Sequence, residues 1–570
     1  MKKIYTYMMT AAMAILAAGC AKEIDSVNPA GEDVVFEASL SETEADAKAV
    51  LIPGKAASKV EWVKGDLVGV YAGTSYYEYK ADKSGGSSTL SPVGGSSLAA
   101  EYYAVYPYDA AATLAGGVIT TTLPSEQPAV PGSFSHHLAV ARSETLVLDF
   151  KNICGLFAAD IDEPNAVTKV EIKGNNNEIL AGKIAITVAD TPSWSAAEGV
   201  KTVSISAPQG ETLLPGAYYM AVLPQEFAGG LTVTAYYKDG TTLVKNVTDK
   251  VTVAASGLVG GKIATGEWKH EELKTGLGGS TEDIVLASDG TFWVTRRGNT
   301  THGIYKYSLA DNSYTEVKLS TSSTTSTEDL LANGHPWGGD VAADGKLYFA
   351  AKNTGRVLTC DVQGNIAQYQ ISGQTMANPM KVLCAADGTI YVLVRGSGAG
   401  KGQVLKVKDN AVLHTWNLTH LLYEYMCFNA DKTKIFLFPN TSGDIQMIDL
   451  TDNSIKRVAG TGSNHSSENY TDGTPGNPMT ATLGQCEGAI CDADGTVYFS
   501  DSNKGKTIRM FVPDSNGDYS KGTIRTIYGT PYSTTPLAYP NGLALGTDGK
   551  TLYYTENAGK ICKLSYVKNE

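Results

Sequence analysis

Six positions, each seven residues before an Asp that is followed by Gly or Lys, hold Glu282, Trp337, Met380, Glu424, Glu487 and Asn541. A second set lies seven to nine residues after the same Asp residues: Arg296 and Arg297, Lys352 and Asn353, Arg395, Asn440, Asp501 to Asn503, and Glu556 with Asn557. Carboxylates, amides and guanidinium groups hydrogen-bond hydroxyls, and an indole stacks on the apolar face of a sugar ring. Trp337, Glu282, Glu424, Glu487, Asn541, Arg297 and Arg395 therefore form a candidate glycan site, with Trp337 as its anchor. The bland alternative for Trp337 is packing between neighbouring sheets, and the same surface would also serve protein–protein contact. Chemistry beyond binding has little to work with. His302, His335, His414, His420 and His465 are dispersed and share no repeated position, and no nucleophile elbow, paired-His helix or phosphate loop occurs. The chain is expected to bind rather than to catalyse.

The spacing implies the elements that carry these residues. Asp289-Gly290, Asp344-Gly345, Asp387-Gly388, Asp431-Lys432, Asp494-Gly495 and Asp548-Gly549 each follow a small aliphatic run and precede an aromatic, β-branched one. Asp-Gly between such runs signals a hairpin, here read as a tight two-residue turn, because Gly supplies the positive φ without steric cost. Further alternating segments follow in each unit, among them 303–307, 356–360, 403–407, 444–448, 507–511 and 560–564. Four strands at a period of about 40 to 60 residues describe β-propeller blades, and six copies describe six blades. The chain ends at Glu570, straight after the third strand of the sixth copy. Residues 263–274 are therefore expected to supply its outermost strand, since an open ring would leave an unpaired edge. The loops holding the candidate residues then surround one channel mouth, with the hairpins on the opposite face. Long insertions at 319–336, 461–484 and 513–538 are either ligand-binding loops or plain linkers.

The fifth unit carries a resemblance to the NHL-repeat family: Val458-Ala-Gly-Thr-Gly462, Asp472-Gly473, Gly488 through Asn503, and Thr507-Ile-Arg509. The likeness loosens in units one and four, where Arg296-Arg297 and Pro439-Asn440 stand in place of Asp-x-x-Asn. Among similar propellers, the gluconolactonase-like ones hold a divalent cation with Glu, Asn and Asp. That resemblance implies an alternative function, a metal-dependent lactonase or lyase with Glu282, Glu487, Asp501 and Asn541 around the cation. On the primary reading no cofactor is expected.

The N-terminal half points to the cell surface. Lys2-Lys3, an apolar stretch through Leu16 and Leu16-Ala-Ala-Gly-Cys20 form an export signal too short for a stable span. The ending resembles a bacterial lipobox, which implies cleavage before Cys20 and lipid anchoring through its thiol. Lys22-Glu23-Ile24-Asp25 is similar to tags that send Bacteroidetes lipoproteins to the outer face of the outer membrane. Residues 34–261 alternate as β-sandwiches and resemble fimbrillins in Val60-Glu-Trp62-Val through Tyr71, Tyr102 through Tyr108, Leu148 through Phe157, and Leu213 through Pro224. Trp62 and the Tyr102–Tyr108 cluster would fill a sandwich core, and the same packing is the preferred reading of Tyr76, Tyr77 and Tyr79. Fimbrillins assemble by donating a terminal strand. Here the chain runs on into the propeller, so a pilus role would be at the tip.

Composition agrees with an all-β extracellular protein: 18% charged residues, 60 Gly, and 31 Tyr against 6 Trp. A net charge of -13 argues against nucleic acid as a partner. Of eight Cys, Cys20 is taken by the lipid, and the remaining seven sit in apolar strands as buried reduced thiols. The resulting organisation is a signal peptide at 1–19, a lipidated tether at 20–32, fimbrillin-like sandwiches at 33–150 and 151–261, and an NHL-type propeller at 262–570. Its expected partners are a glycan or a host or surface protein, the outer membrane through the lipid, and other surface uptake proteins or pilus subunits.

Overall fold

A computed structural model describes residues 33–40, 61–134, 136–161, 163, 166–263, 266–298, 301–321, 330–331, 334–397, 400–440, 442–463, 471–501, 506–514, 516–529 and 537–568. The export segment, Cys20, the tether and Asn503 lie outside them. The described residues are all-β, with three short 3-10 turns and no α-helix.

The first unit departs from the expected sandwich. Seven strands, Phe36–Leu40, Leu67–Ala72, Ser75–Ala81, Ser87–Pro92, Tyr102–Tyr106, Ala139–Ser143 and Val147–Asn152, form one closed barrel. Phe36–Leu40 closes it by pairing parallel with Val147–Asn152 and antiparallel with Ser87–Pro92, so no strand edge is left open. Trp62, 1% exposed, lies edge-on to Tyr106 and Phe150 at 5.2 and 5.3 Å, filling the core that its size demands. Tyr76 stacks between Tyr71 and Tyr108 and donates to the Asp109 carbonyl, so it is packed into the unit.

The boundary expected at residue 150 is crossed by the chain. Val118–Leu123 pairs with Ala181–Thr187, and Glu126–Pro128 with Thr202–Ser206, before the chain returns to the barrel at Ala139–Ser143. The β-propensity of these segments marks them as strands but does not select their partners. The second unit buries Ile119, Leu123, Ile172, Ile184, Val203 and Met220 in one core. Its last strand, Leu258–Ile263, pairs parallel with Gly155–Ile161.

The C-terminal half is a β-propeller, and its described residues form six four-stranded antiparallel sheets. Their first strands, Ser280–Leu286, Pro336–Val341, Asn378–Cys384, Tyr423–Phe428, Ala489–Cys491 and Pro540–Leu545, touch one another in sequence and the last touches the first, closing a ring. The strand expected over 263–274 is Gly266–Lys274, which pairs antiparallel with Lys560–Lys568 and completes the sixth sheet.

The hairpins are wider than expected. In the first three sheets and the fifth, the residue two before the repeat Asp pairs with the one two after it, as Ala287 does with Thr291. This leaves a three-residue loop in which a hydrogen-bonded turn is followed by Gly at positive φ: 80° at Gly290, 80° at Gly345, 82° at Gly388 and 88° at Gly495. A turn of that kind with a left-handed third residue is the next favoured hairpin after the two-residue type. Lys432 takes φ 56° where the other copies have Gly. All seven described Cys are free, six of them buried, as their apolar contexts imply.

Candidate functional site

Each inner strand of five sheets is interrupted by a bulge at the position seven residues before the hairpin Asp. The pairing register shifts between Thr281 and Asp283, Pro336 and Gly339, Pro379 and Lys381, Tyr423 and Tyr425, and Pro540 and Leu543. A bulge re-aims one side chain out of the regular alternation. Glu282, Trp337, Met380, Glu424 and Asn541 occupy these bulges, and Glu487 lies just before Ala489–Cys491.

Four of the six converge with the cations of the neighbouring loops. Glu282, 6% exposed, accepts from Arg297 Nε at 2.8 Å. Glu424, 4% exposed, accepts from Arg395 Nη1 at 3.0 Å and from Asn440 Nδ2 at 2.5 Å. Lys352 Nζ sits 3.5 Å from the centroid of the Trp337 ring, and the Arg297 guanidinium 5.1 Å from it. Cations over an indole are held by its quadrupole, the more so when partly desolvated. Trp337 is thus engaged by two cations and also packs against the cores of the sheets beside it. Glu487 accepts from the Gln485 amide. Burial, reinforced by the Glu424 and Glu282 carboxylates and opposed by Lys352 and Arg297, raises its carboxyl to about 7. Burial also lowers Lys352, with Glu424 and Glu282 acting against that shift.

Two expected members are elsewhere. Met380 is fully buried in an inter-sheet core. Asn541, 2% exposed, donates Nδ2 to the Thr281 carbonyl at 2.9 Å and so ties the sixth sheet to the first, while its Oδ1 is buried without a partner among the described residues. The oxygens of the alternative cage are only partly engaged. Asp501 accepts from the Gly484 N–H at 3.1 Å and pairs with Arg509 at 3.4 Å. Both contacts are made by Oδ2, while Asp501 Oδ1 and Asn541 Oδ1 are buried without a partner among the described residues. Among the described residues no group of three or more His, Cys, Asp and Glu is placed to hold a metal ion. Arg296 turns to the Leu277 carbonyl and the Tyr305 ring.

The histidines are less scattered than their numbering implies. The His302 and His335 rings lie 4.3 Å apart beside Arg297, and Asn353 Nδ2 approaches His335 Nδ1 at 3.3 Å. Burial, followed by His302, Arg297 and Lys352, lowers His335 to about 4, which keeps it neutral at physiological pH. Their approach depends on the fold of the 301–307 strand and the 334–336 segment, and no sequence repeat announces it.

One column further along the same alignment the copies read Asp283, Gly338, Lys381, Tyr425, Gly488 and Gly542. The three large residues meet on the axis. Lys381 Nζ lies 2.7 Å from Asp283 Oδ2, 2.5 Å from the Tyr425 hydroxyl and 2.7 Å from the Gly339 carbonyl, while the Tyr425 hydroxyl donates to Asp283 Oδ1 at 2.7 Å. Glycine makes the room: a Cβ at Gly338 would lie 2.6 Å from Lys381 Cδ, and one at Gly542 would run into Asp283 Oδ1. This buried network plugs the channel. On its hairpin side is a recess of about 330 Å³ lined by Lys381, Tyr425, Asp340, Lys432, Phe428 and Asp492, among others.

No family model and no curated protein matches the sequence. Among solved structures the chain is similar to a streptogramin B lyase (13% identity, TM-score 0.37, covering 53% of this chain and 98% of that one). It is also similar to a gluconolactonase from Xanthomonas campestris (12%, TM-score 0.38, 53% and 91%) and to an auxiliary nutrient binding protein from Bacteroides ovatus (11%, TM-score 0.41, 79% and 97%). Likeness at this level carries neither activity nor ligand across to this chain.

Proposed function

We propose that the channel mouth binds a polyhydroxylated ligand, a glycan, at the cell surface. The observation that carries this reading is the convergence of Glu282, Glu424 and Glu487 with Arg297, Arg395 and Lys352 around one opening. Alternating acceptors and donors about 3 Å apart suit neighbouring hydroxyl groups, which both donate and accept. Because its ring carries Lys352 and Arg297, Trp337 acts here by positioning those cations, a different role from that of a bare stacking platform. The reading includes export, lipid attachment at Cys20, an outer-membrane location, a fimbrillin-like stalk, a six-bladed NHL-type head, and uptake proteins or pilus subunits as neighbours.

The test is to titrate the 21–570 chain with a polysaccharide panel by calorimetry, alongside Glu487→Ala and Trp337→Ala. Binding by the parent chain with at least tenfold loss in Glu487→Ala supports the mouth; loss of one charge-assisted hydrogen bond is worth about 1.5–3 kcal/mol. Glycan binding that both variants retain in full sinks it, as does a parent chain that binds nothing in the panel.

A second reading, a lactonase or lyase, is favoured by one observation: the buried Glu487 carboxyl, raised to about 7, is a candidate proton donor or acceptor near neutrality, with Lys352, itself lowered by burial, acting on it. Lactone turnover abolished by Glu487→Gln would establish it, and the absence of turnover across a lactone panel would dismiss it.

A further inference from the structure

We propose that the ligand of the channel mouth is an acidic saccharide whose uronate carboxylate docks on Arg297, Arg395 and Lys352. The inference rests on the glycan reading above and narrows it to one class of sugar.

Depth separates the two signs of charge at this opening. The Glu282 and Glu424 side chains are each 4% exposed, whereas their partners Arg297 and Arg395 are 39% and 23% exposed. A ligand arriving from solvent therefore meets the guanidinium groups first, with the carboxylates behind them. Each guanidinium also spends only part of its fork on the protein. Arg297 engages Glu282 through Nε and Arg395 engages Glu424 through Nη1, and their other nitrogens have no hydrogen-bond partner among the described residues. Lys352 Nζ faces the Trp337 ring and forms no ion pair with a described carboxylate. Unused donors of one sign favour an acceptor of the other, and a planar carboxylate matches the guanidinium fork.

The charge balance sets how much negative charge the ligand carries. Three cations against the Glu282 and Glu424 carboxylates leave one positive charge while Glu487 is protonated. One carboxylate on the bound ring neutralises it, whereas a phosphate dianion would leave an uncompensated charge in a partly buried site. Glu487 adds a second preference. Protonated, its carboxyl donates to a ligand carboxylate; ionised, it repels one. The groups acting on it are Glu424, Glu282, Lys352 and Arg297, with the Gln485 amide donating to it, and its value of about 7 places the change near neutrality. His335, lowered to about 4, stays neutral over the same range. The Asn353 and Asn440 amides beside this cluster remain for the sugar hydroxyls.

The experiment is calorimetry on the 21–570 chain with short oligomers of galacturonate, mannuronate and glucuronate, each beside its carboxyl-reduced neutral counterpart, at about pH 6 and about pH 8.5. At least one uronate should bind about tenfold or more tighter than its reduced counterpart at the lower pH, and that preference should shrink about threefold or more at the higher pH. Glu487→Gln, neutral at both, should lose the pH dependence, and Lys352→Gln should cut the preference about fivefold or more. Equal affinity for acid and reduced forms, a preference indifferent to pH, or one that survives Lys352→Gln at full strength overturns the inference and leaves the glycan reading standing. A sulfated galactose oligomer that binds tighter than every uronate overturns it too. If no oligomer binds while the polysaccharide panel does, the inference alone falls; if the panel also fails, the glycan reading falls with it.

Discussion

Glu487 is the mouth residue whose charge changes near neutral pH, and its energetics have a definite sign. With its folded value at about 7 and its ordinary value at 4.5, the carboxyl is protonated in both states below pH 4.5. Between the two values the unfolded chain releases the proton while the folded chain keeps it, so stability falls as pH rises, and above 7 the loss is complete. At about 1.4 kcal/mol per unit this amounts to on the order of 3 kcal/mol. Glu487→Gln is therefore expected to melt higher than the parent at pH 8 and at the same temperature at pH 4, as read by thermal unfolding. Lys381 presents the opposite case. Lys381 is 4% exposed and its ammonium faces Asp283, 1% exposed, so Lys381→Met strands a buried carboxylate. Chemical denaturation should show a loss of about 3–5 kcal/mol. The seven-residue column exposed Glu282, Glu424 and Glu487 in the sequence because identical units place equivalent positions alike. It did not show that the Asn541 amide also donates to the Thr281 carbonyl, because a bulge aims a side chain by local geometry. It missed Asp283, Lys381 and Tyr425 because three glycines in the same column hide how few large residues must meet on the axis.

Strands and hairpins were the most legible elements, since period-two alternation and Asp-Gly both act over a few residues. The closing strand was legible for a different reason: a sixth unit with three strands demands a fourth. Gly266–Lys274 meets that demand across almost three hundred residues of chain. Replacing 266–274 with a Gly-Ser linker of the same length leaves Lys560–Lys568 as an exposed edge. The variant is expected to self-associate in light scattering where the parent does not. Loop length was harder to read. Asp-Gly suits both two- and three-residue hairpins, and the choice follows the twist of the paired strands, seen here in Gly290 at φ 80° after a hydrogen-bonded turn from Ala287. Pairing between distant strands was harder still, so the excursion of 113–128 into the second unit left no trace in composition or alternation.

The second β-unit and the propeller are joined by more than a tether. Only residues 264 and 265 separate Leu258–Ile263 from the closing strand Gly266–Lys274. Arg525 grips Asp160 with two bonds of 2.8 and 2.9 Å and the Ile161 carbonyl with a third of 2.8 Å. Leu214 packs onto the core shared by the fifth and sixth sheets. A forked, partly buried contact of this kind orients as well as binds. Arg525→Ala is expected to lower the first calorimetric transition and to speed proteolysis near residues 264 and 265, with a cost of about 2 kcal/mol. The sequence by itself determined the all-β class, the repeated units, the closing strand and the carboxylates that face the mouth, because each follows from short-range pattern multiplied by repetition. Only the tertiary structure decided that Trp337 is covered by cations, that His302 and His335 meet, that Lys381 plugs the axis, and that the mouth's guanidinium groups lie outside its carboxylates. These depend on bulges and on contacts between residues far apart in the chain, whose energies belong to the assembled surfaces and to no local segment.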